Sequence, residues 1–370
     1  MNRRIKEVGS FFEAEELYEE WFLNDKNISS KINIVSMLFQ KTSQVSWFNS
    51  GRSAIGAVID EIEKTGCTKT VLLPAYLCNS MVVPFLIRNW KIFFYTLNKD
   101  LSPNLNNLLD LLKTSKPSVI LLLPYYGQDT INKASTSLFD WKFAGVCGGG
   151  GIIIEDLSQS LFLFDEHFGK YDYQIISLRK WFPIPDGGCA IGLKKTPICE
   201  YDGKSAELEY NAQKLKQRYL DGEQIHKNVF LDIHKEAGNI LTNNKFIQGM
   251  DFLSYSFLTV CNVDKIWKQR TENMKILKKM IRNSKVRPLV YSNDQNAGIY
   301  YPVIVDNRED FQIYLRNNDI YAPVLWPKPD SVKVADDILN MLYNKVLCIP
   351  CDHRYDERDM NYVADIINKY

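Results

Sequence analysis

Between Ser53 and Leu193 the chain alternates two patterns, and that alternation constrains its fold more than any other feature. Short apolar runs, TVLLP (70–74), KIFFYTL (91–97), SVILLLP (118–124), GIIIED (151–156), YQIISL (173–178) and GCAIGL (188–193), are separated by longer amphipathic stretches. Unbroken rather than alternating apolarity is what a strand buried on both faces shows. Helical candidates lie between the runs, at Ser53–Lys64, Met81–Asn89, Leu105–Leu112 and Leu138–Phe143. Strand followed by helix, repeated, predicts an α/β fold: a mostly parallel central sheet covered by helices on both faces.

Outside that region the pattern changes. Tyr201–Leu220 and Val263–Ile281 are rich in Lys, Glu, Gln and Leu, with apolar residues at helical spacing, and predict helices across the outside of the sheet. From about 286 the chain reads as strand (YYPVIVD, 300–306), helix (309–318), strand (IYAPVLW, 320–326), then helix, strand and helix to Tyr370. The expected organisation is a large α/β domain over 1–280, with an N-terminal helical segment 1–48, and a small α+β domain over 281–370. The length of 370 residues suits two such units.

Charge narrows the function. Lys and Arg total 45 against 44 Asp and Glu, a net charge of +1. That excludes a partner bound by bulk basicity, so nucleic acid is not expected. The longest apolar stretch, Val71–Ile87, is interrupted by Pro74, Asn79, Ser80 and Pro84, and falls short of the ~20 apolar residues of a membrane span. The start, MNRRIKEVGSFFEAEE, has no apolar core after its basic residues, so a cytoplasmic protein is expected. The eight cysteines are scattered, and only Cys348 and Cys351 form a CxxC pair. Without a second pair at ligand spacing these read as small side chains flanking Pro350, and no metal is expected. Gly148–Gly151 precedes a strand rather than a helix, so it reads as a turn rather than a phosphate cradle.

In an α/β sheet, ligands sit at the carboxyl ends of the strands, and four features stand there. Asn49-Ser50-Gly51-Arg52-Ser53-Ala54 opens a helix, where a serine cap, a glycine and the positive end of the helix suit an anion such as phosphate. Glu155-Asp156-Leu157-Ser158-Gln159-Ser160 follows GIII. Carboxylates at the end of a buried strand are costly unless paired or put to use; Asp156 suits a protonated ring nitrogen, and Gln159 the other side of the same ring. Ser177-Leu178-Arg179-Lys180 follows QII, and a lysine leaving a buried strand suits Schiff-base chemistry. Pro183-Ile184-Pro185-Asp186-Gly187-Gly188 stiffens and then turns the chain into the next strand.

In that order the four features resemble the fold-type-I enzymes that use pyridoxal phosphate, and within them the DegT/DnrJ/StrS-type sugar aminotransferases. The family's Ser-Gly-Thr-x-Ala turn corresponds to Ser50-Gly51-Arg52-Ser53-Ala54, and its Glu-Asp-Ala-Ala-Gln block to Glu155-Asp156-Leu157-Ser158-Gln159. Its serine before the lysine and acidic-Gly-Gly after it match Ser177, Lys180 and Asp186-Gly187-Gly188. Its Tyr-Gly-Gln matches Tyr126-Gly127-Gln128. The resemblance covers most of 50–200 and continues more loosely through Arg270–Leu277 and Leu347–Tyr355.

The resemblance implies a three-layer fold-type-I transferase fold and pyridoxal 5'-phosphate as cofactor. Lys180 would form the Schiff base and move the proton, Asp156 would keep the pyridine nitrogen protonated, and Gln159 would contact the phenolic oxygen. Gly51, Arg52, Ser53 and Ser177 would hold the phosphate, and Tyr76 would stack on the ring. The implied reaction moves an amino group from glutamate or glutamine to a nucleotide-linked keto-sugar, in a homodimer, with a place in polysaccharide biosynthesis. The chain departs from the family in four ways, one being Pro185-Asp186 where the lysine loop usually carries Gly-Glu. Arg52 stands where threonine is usual; the usual stacking position falls near Cys78 rather than Tyr76; and the asparagine that the neighbouring subunit supplies has no counterpart in 201–262. A sugar dehydratase of the same fold would carry histidine in place of Lys180. An amino-acid transaminase would need an arginine for the carboxylate, for which Arg354 is the candidate. A non-catalytic scaffold would bind no cofactor.

Overall fold

A computed structural model describes residues 7–14, 32–138, 141–142, 150–289 and 297–370. Cys147, part of the Gly148–Gly151 run and part of the helix expected over Leu138–Phe143 lie outside the described residues. The strands are β1 (Val8–Gly9), β2 (Val45–Phe48), β3 (Thr70–Pro74), β4 (Lys91–Tyr95), β5 (Val119–Leu122), β6 (Ile152–Asp156), β7 (Tyr173–Ile176), β8 (Gly188–Ile191), β9 (Val286–Pro288), β10 (Tyr301–Val305), β11 (Ile320–Tyr321) and β12 (Val346–Ile349). The α/β class with a mostly parallel sheet is as expected. By their contacts the residues group into two compact units, each discontinuous in sequence: residues to Ser10 with Thr65–Asp172 and Ile266–Tyr370, and Phe11–Lys64 with Tyr173–Lys265.

In the first unit the strands run parallel in the order β6-β5-β3-β4. Leu72 of β3 lies between Ile120 of β5 and Phe93 of β4. Val119–Leu122 are all buried, as their unbroken apolarity requires. Each such side chain taken from water contributes roughly 1.5–3 kcal/mol. The helices Asn79–Leu86, Leu105–Ser115 and Asn132–Ser137 connect these strands. The C-terminal part of this unit has its own antiparallel sheet, β12-β10-β9, and its own core of Leu277, Val303, Phe311, Leu347, Met360 and Val363. β1 joins it by pairing parallel with β11, Val8 opposite Ile320.

In the second unit β2, β8 and β7 form an antiparallel set with β8 between the other two. The helix Gly51–Glu63 covers these strands through Ala54, Ile55, Val58, Ile59 and Ile62. The expected helix over Tyr201–Leu220 spans Lys204–Leu220 and packs along a second helix, Lys227–Asn243.

Two expectations differ from the structure. The N-terminal segment is not wholly helical: its described part holds β1, the helix Ile34–Phe39 and the strand β2. Of IYAPVLW only Ile320–Tyr321 pairs as a strand, since Pro323 has no N–H to donate to a ladder. Among the described residues no helix is long and apolar enough to cross a membrane.

Candidate active site

The phosphate-type turn is built within the second unit. Ser50 is the N-cap of the helix Gly51–Glu63, its Oγ accepting the Ser53 N–H at 3.2 Å. The Asn49 side chain accepts from both hydroxyls, Ser53 at 2.7 Å and Ser50 at 3.0 Å, which fixes the turn in one geometry. A Cβ on Gly51 would lie 3.2 Å from the Ser177 Cβ, so the lack of a side chain lets the helix start approach the end of β7. The first amides of a helix have no carbonyl within it, and this is where an anion is best received. Arg52 turns its side chain elsewhere: Nη1 donates to the Thr242 carbonyl at the end of the helix Lys227–Asn243. A cation there suits the negative helix end, and what Arg52 keeps at the turn is its backbone amide.

Lys180 closes a 3-10 turn, Leu178–Lys180, directly after β7, and is half-buried. The loop that follows is tied back at both ends. Arg179 N–H donates to the Gly187 carbonyl (3.3 Å), and Gly187 N–H donates to the Asn49 carbonyl (2.7 Å), linking the lysine loop to the phosphate-type turn. Gly187 has φ +144°, a conformation that a side chain would strain. Asp186, buried in this loop, accepts the Asp251 N–H at 3.1 Å. Burial pushes its carboxyl up to about 7, against the Ser254 hydroxyl and the Asp251 amide, which favour the charged form.

The ring-binding candidates belong to the first unit. Asp156 ends β6, buried, with Oδ1 accepting the Ser158 N–H at 2.8 Å. Gln159 is fully buried. Its Oε1 accepts the Tyr126 N–H at 3.0 Å, while its Nε2 has no hydrogen-bond partner among the described residues. A buried amide nitrogen without an acceptor costs about 1–3 kcal/mol unless a ligand supplies one. Tyr126 and Gly127 sit at φ +53° and +82°, a left-handed turn that aims the Tyr126 amide at Gln159. Gly127 is required there, since a Cβ would lie 2.5 Å from the Gly298 nitrogen.

Tyr76 follows β3 inside an aromatic cluster. Its ring stacks on Tyr125 (5.7 Å between centroids) and meets Trp326 (4.9 Å) and Tyr343 (5.0 Å) edge to face. Its hydroxyl bonds that of Tyr126 at 3.1 Å. Cys78, nearer the family's usual position, is the half-buried N-cap residue of the helix Asn79–Leu86. The Tyr343 hydroxyl spans the turn between them, donating toward the Ala75 carbonyl (2.9 Å) and accepting the Leu77 N–H (3.1 Å).

Sequence reasoning missed two charged clusters. Glu155 is paired with the buried His167, whose other ring nitrogen lies 3.4 Å from Asp129. Arg354, considered for a substrate carboxylate, instead clasps Asp352 with Nε and Nη2 at 2.7 and 2.8 Å, both side chains buried. Burial opposes the Asp352 charge, but Arg354 outweighs it and holds the carboxyl below the usual range. Cys348 and Cys351 are fully buried, and burial pushes the Cys348 thiol up to about 12.

The chain matches no protein-family model, and its sequence matches no curated protein. In three dimensions it is similar to the sugar aminotransferase CalS13 from Micromonospora echinospora, with TM-score 0.63 and 14% identity over 97% of this chain and 93% of that one. It is similar to Helicobacter pylori PseC, an aminotransferase involved in the biosynthesis of pseudoaminic acid, with TM-score 0.64 and 13% identity over 98% and 99%. A DegT DnrJ EryC1 StrS aminotransferase from Brucella abortus gives TM-score 0.58 and 15% identity over 88% and 85%. At these identities the likeness is one of fold: the chain has the fold of these aminotransferases.

Proposed function

We propose that the chain is a pyridoxal-5'-phosphate-dependent aminotransferase moving an amino group from glutamate or glutamine to a nucleotide-linked keto-sugar. The observation that carries this reading is the packing of Gly51 against Ser177, three residues before Lys180, which sets a serine-capped helix start beside the exit of a lysine-bearing strand. The orphaned Gln159 amide fits the same cofactor, whose phenolic oxygen is an acceptor. When bound, the cofactor supplies a carbonyl that takes up amines and a protonated ring that draws electrons from the attached carbon.

The chain's own residues would do the rest. The amides of Gly51 and Arg52, with the Ser53 and Ser177 hydroxyls, would hold the phosphate. Gln159 Nε2 would donate to the phenolic oxygen, and Asp156 would keep the ring nitrogen protonated. Lys180 Nζ would hold the cofactor and carry the substrate proton from one carbon to the next. Tyr76 remains our candidate for the ring-stacking residue. The Asp352–Arg354 pair weighs against an amino-acid transaminase that anchors its substrate carboxylate on Arg354, since that guanidinium already has a carboxylate. We further propose a large domain over 1–280 with a small one over 281–370, a homodimer, a cytoplasmic location and a role in polysaccharide biosynthesis.

The test is a screen of nucleotide-linked keto-sugars with glutamate as amino donor, followed by product mass. Purified protein should show cofactor absorbance in the visible that Lys180→Ala abolishes. Unchanged absorbance in that variant would sink the lysine assignment, and no aminated product across the screen would sink the sugar.

A further inference from the structure

Glu155 and Asp156 are neighbours at the end of β6, so their side chains leave opposite faces of the strand. Asp156 is accounted for by the site above. Glu155 is fully buried on the other side, where an uncompensated carboxylate costs several kcal/mol. Its partner is His167, only 1% exposed, which bonds Glu155 Oε1 through Nδ1 and faces Asp129 Oδ2 through Nε2 at 3.4 Å.

Asp129 belongs to the loop after β5, and that loop holds Gln159. The Tyr126 amide bonds Gln159 Oε1, and the Gly127 amide bonds Ser160 Oγ at 3.0 Å, which in turn donates to the Pro124 carbonyl at 2.8 Å. Tyr126 has a left-handed φ, which a non-glycine residue keeps only where its surroundings fix it. Two of those fixings are the Gln159 and Ser160 bonds. Further along the same loop, Asp129 accepts the Asn132 amide at 3.1 Å and faces His167.

We propose that His167 is a positioning residue for the Asp156–Gln159 pair: clasped by Glu155 and Asp129, its ring holds the end of β6 to the loop that aims the Tyr126 amide at Gln159. The inference rests on the cofactor reading above. The ring is charged to do this. Burial opposes the imidazolium, but the hydrogen bonds and charges of Asp129 and Glu155 outweigh it and push the group up to about 9. The other groups facing the cluster are Tyr171, whose ring centroid lies 5.9 Å from that of His167 and whose hydroxyl bonds Ser135; Lys170, which acts on Asp129; and Glu166, with a carboxylate oxygen within 4.8 Å of a His167 ring nitrogen and an Asp129 oxygen.

The experiment compares the full chain with His167→Gln and with Glu155→Gln/His167→Gln, the double variant removing the unpaired buried charge so that folding is kept. Two readouts are taken: amide hydrogen exchange of peptides over 122–131 and 155–161 without added cofactor, and titration with pyridoxal phosphate followed by visible absorbance across pH. We expect the double variant to melt close to the parent, to exchange tenfold or more faster in those two peptides with β3 and β4 unchanged, and to bind the cofactor at least tenfold more weakly with a shifted absorbance midpoint. A folded double variant with parental exchange, affinity and midpoint overturns the proposal and leaves the ring as an ion-pair partner alone. A parent chain that shows no cofactor absorbance sinks the cofactor reading instead, while exchange in the two peptides still decides whether His167 holds the loop.

Discussion

Gly188 leaves no room for a side chain beneath Ser50: a Cβ there would lie 2.4 Å from the Ser50 carbonyl carbon and 2.5 Å from the Gly51 nitrogen. β8 therefore presses its backbone directly against the phosphate-type turn, and neither backbone can step aside cheaply. Gly188→Ala is expected to cost about 1–3 kcal/mol by overpacking and to weaken cofactor affinity more than Ala substitutions elsewhere in β8. A thermal melt with a parallel pyridoxal-phosphate titration checks both. An unchanged affinity would mean that the turn tolerates the shift.

The loop that carries Lys180 should respond to pH through Asp186. Its carboxyl is raised from 3.8 in the unfolded chain to about 7 in the folded one, so folding favours its protonated form. Its contribution is complete below about pH 4, falls as pH rises through 7, and levels off above, with a slope of at most about 1.4 kcal/mol per pH unit. Asp186→Asn should remove that decline, so the stability of variant relative to parent should grow between pH 4 and 7. Parallel stability curves in urea at pH 4.5, 6 and 8 would contradict it.

Arg354→Ala should be far more damaging than a surface substitution, by about 3–5 kcal/mol, because it leaves Asp352 buried without its partner. Arg354→Met with Asp352→Leu should recover most of that loss. Acid should mimic the single variant: the depressed Asp352 carboxyl stabilises the fold above the ordinary carboxylate range and loses that effect as pH falls toward its folded value. A raised KM for an amino donor in Arg354→Ala, with the melting temperature unchanged, would instead make Arg354 a substrate contact.

Tyr343→Phe keeps the ring against Tyr76 but strips the hydroxyl from the Ala75–Leu77 turn. The Leu77 N–H is then buried without its acceptor, at about 1–3 kcal/mol. Faster amide exchange at residues 75–78, with β3 protected as before, is the expected signature. Unchanged exchange would show that the turn is held by its own sequence.

Much of this architecture was legible in the residues, for physical reasons. β3, β5 and β6 announce themselves because burial on both faces demands unbroken apolarity. β2 does not: VSWF is short and carries Ser46, whose hydroxyl is satisfied by Thr196, a partner distant in sequence. The helix Lys227–Asn243 was missed as well, with Gly238 in its interior and a histidine at its cap. That Ser50-Gly51, Asp156, Gln159 and Lys180 stand at or just beyond element ends was readable because the sequence marks those ends; the roles proposed for them are not. The Glu155–His167–Asp129 cluster was not, since its members come from three separate segments that only the fold assembles. Arg354 and Asp352 stand two residues apart, yet no local rule says that a pair in a loop will be buried and face each other.

The turn after β3 has a consequence for how the protein comes into being. Leu77 is made early, but its hydrogen-bond partner Tyr343 emerges 266 residues later, a wait of roughly 13–53 s at the pace of synthesis. Val8 likewise waits for Ile320. The parallel strands can gather on the ribosome, and Tyr125 can already reach Tyr76, but the Ala75–Leu77 turn lacks its Tyr343 hydroxyl until that residue is made. During that interval the nascent chain depends on whatever shields its aromatic residues, and a pause placed just upstream of codon 343 should lengthen that exposure.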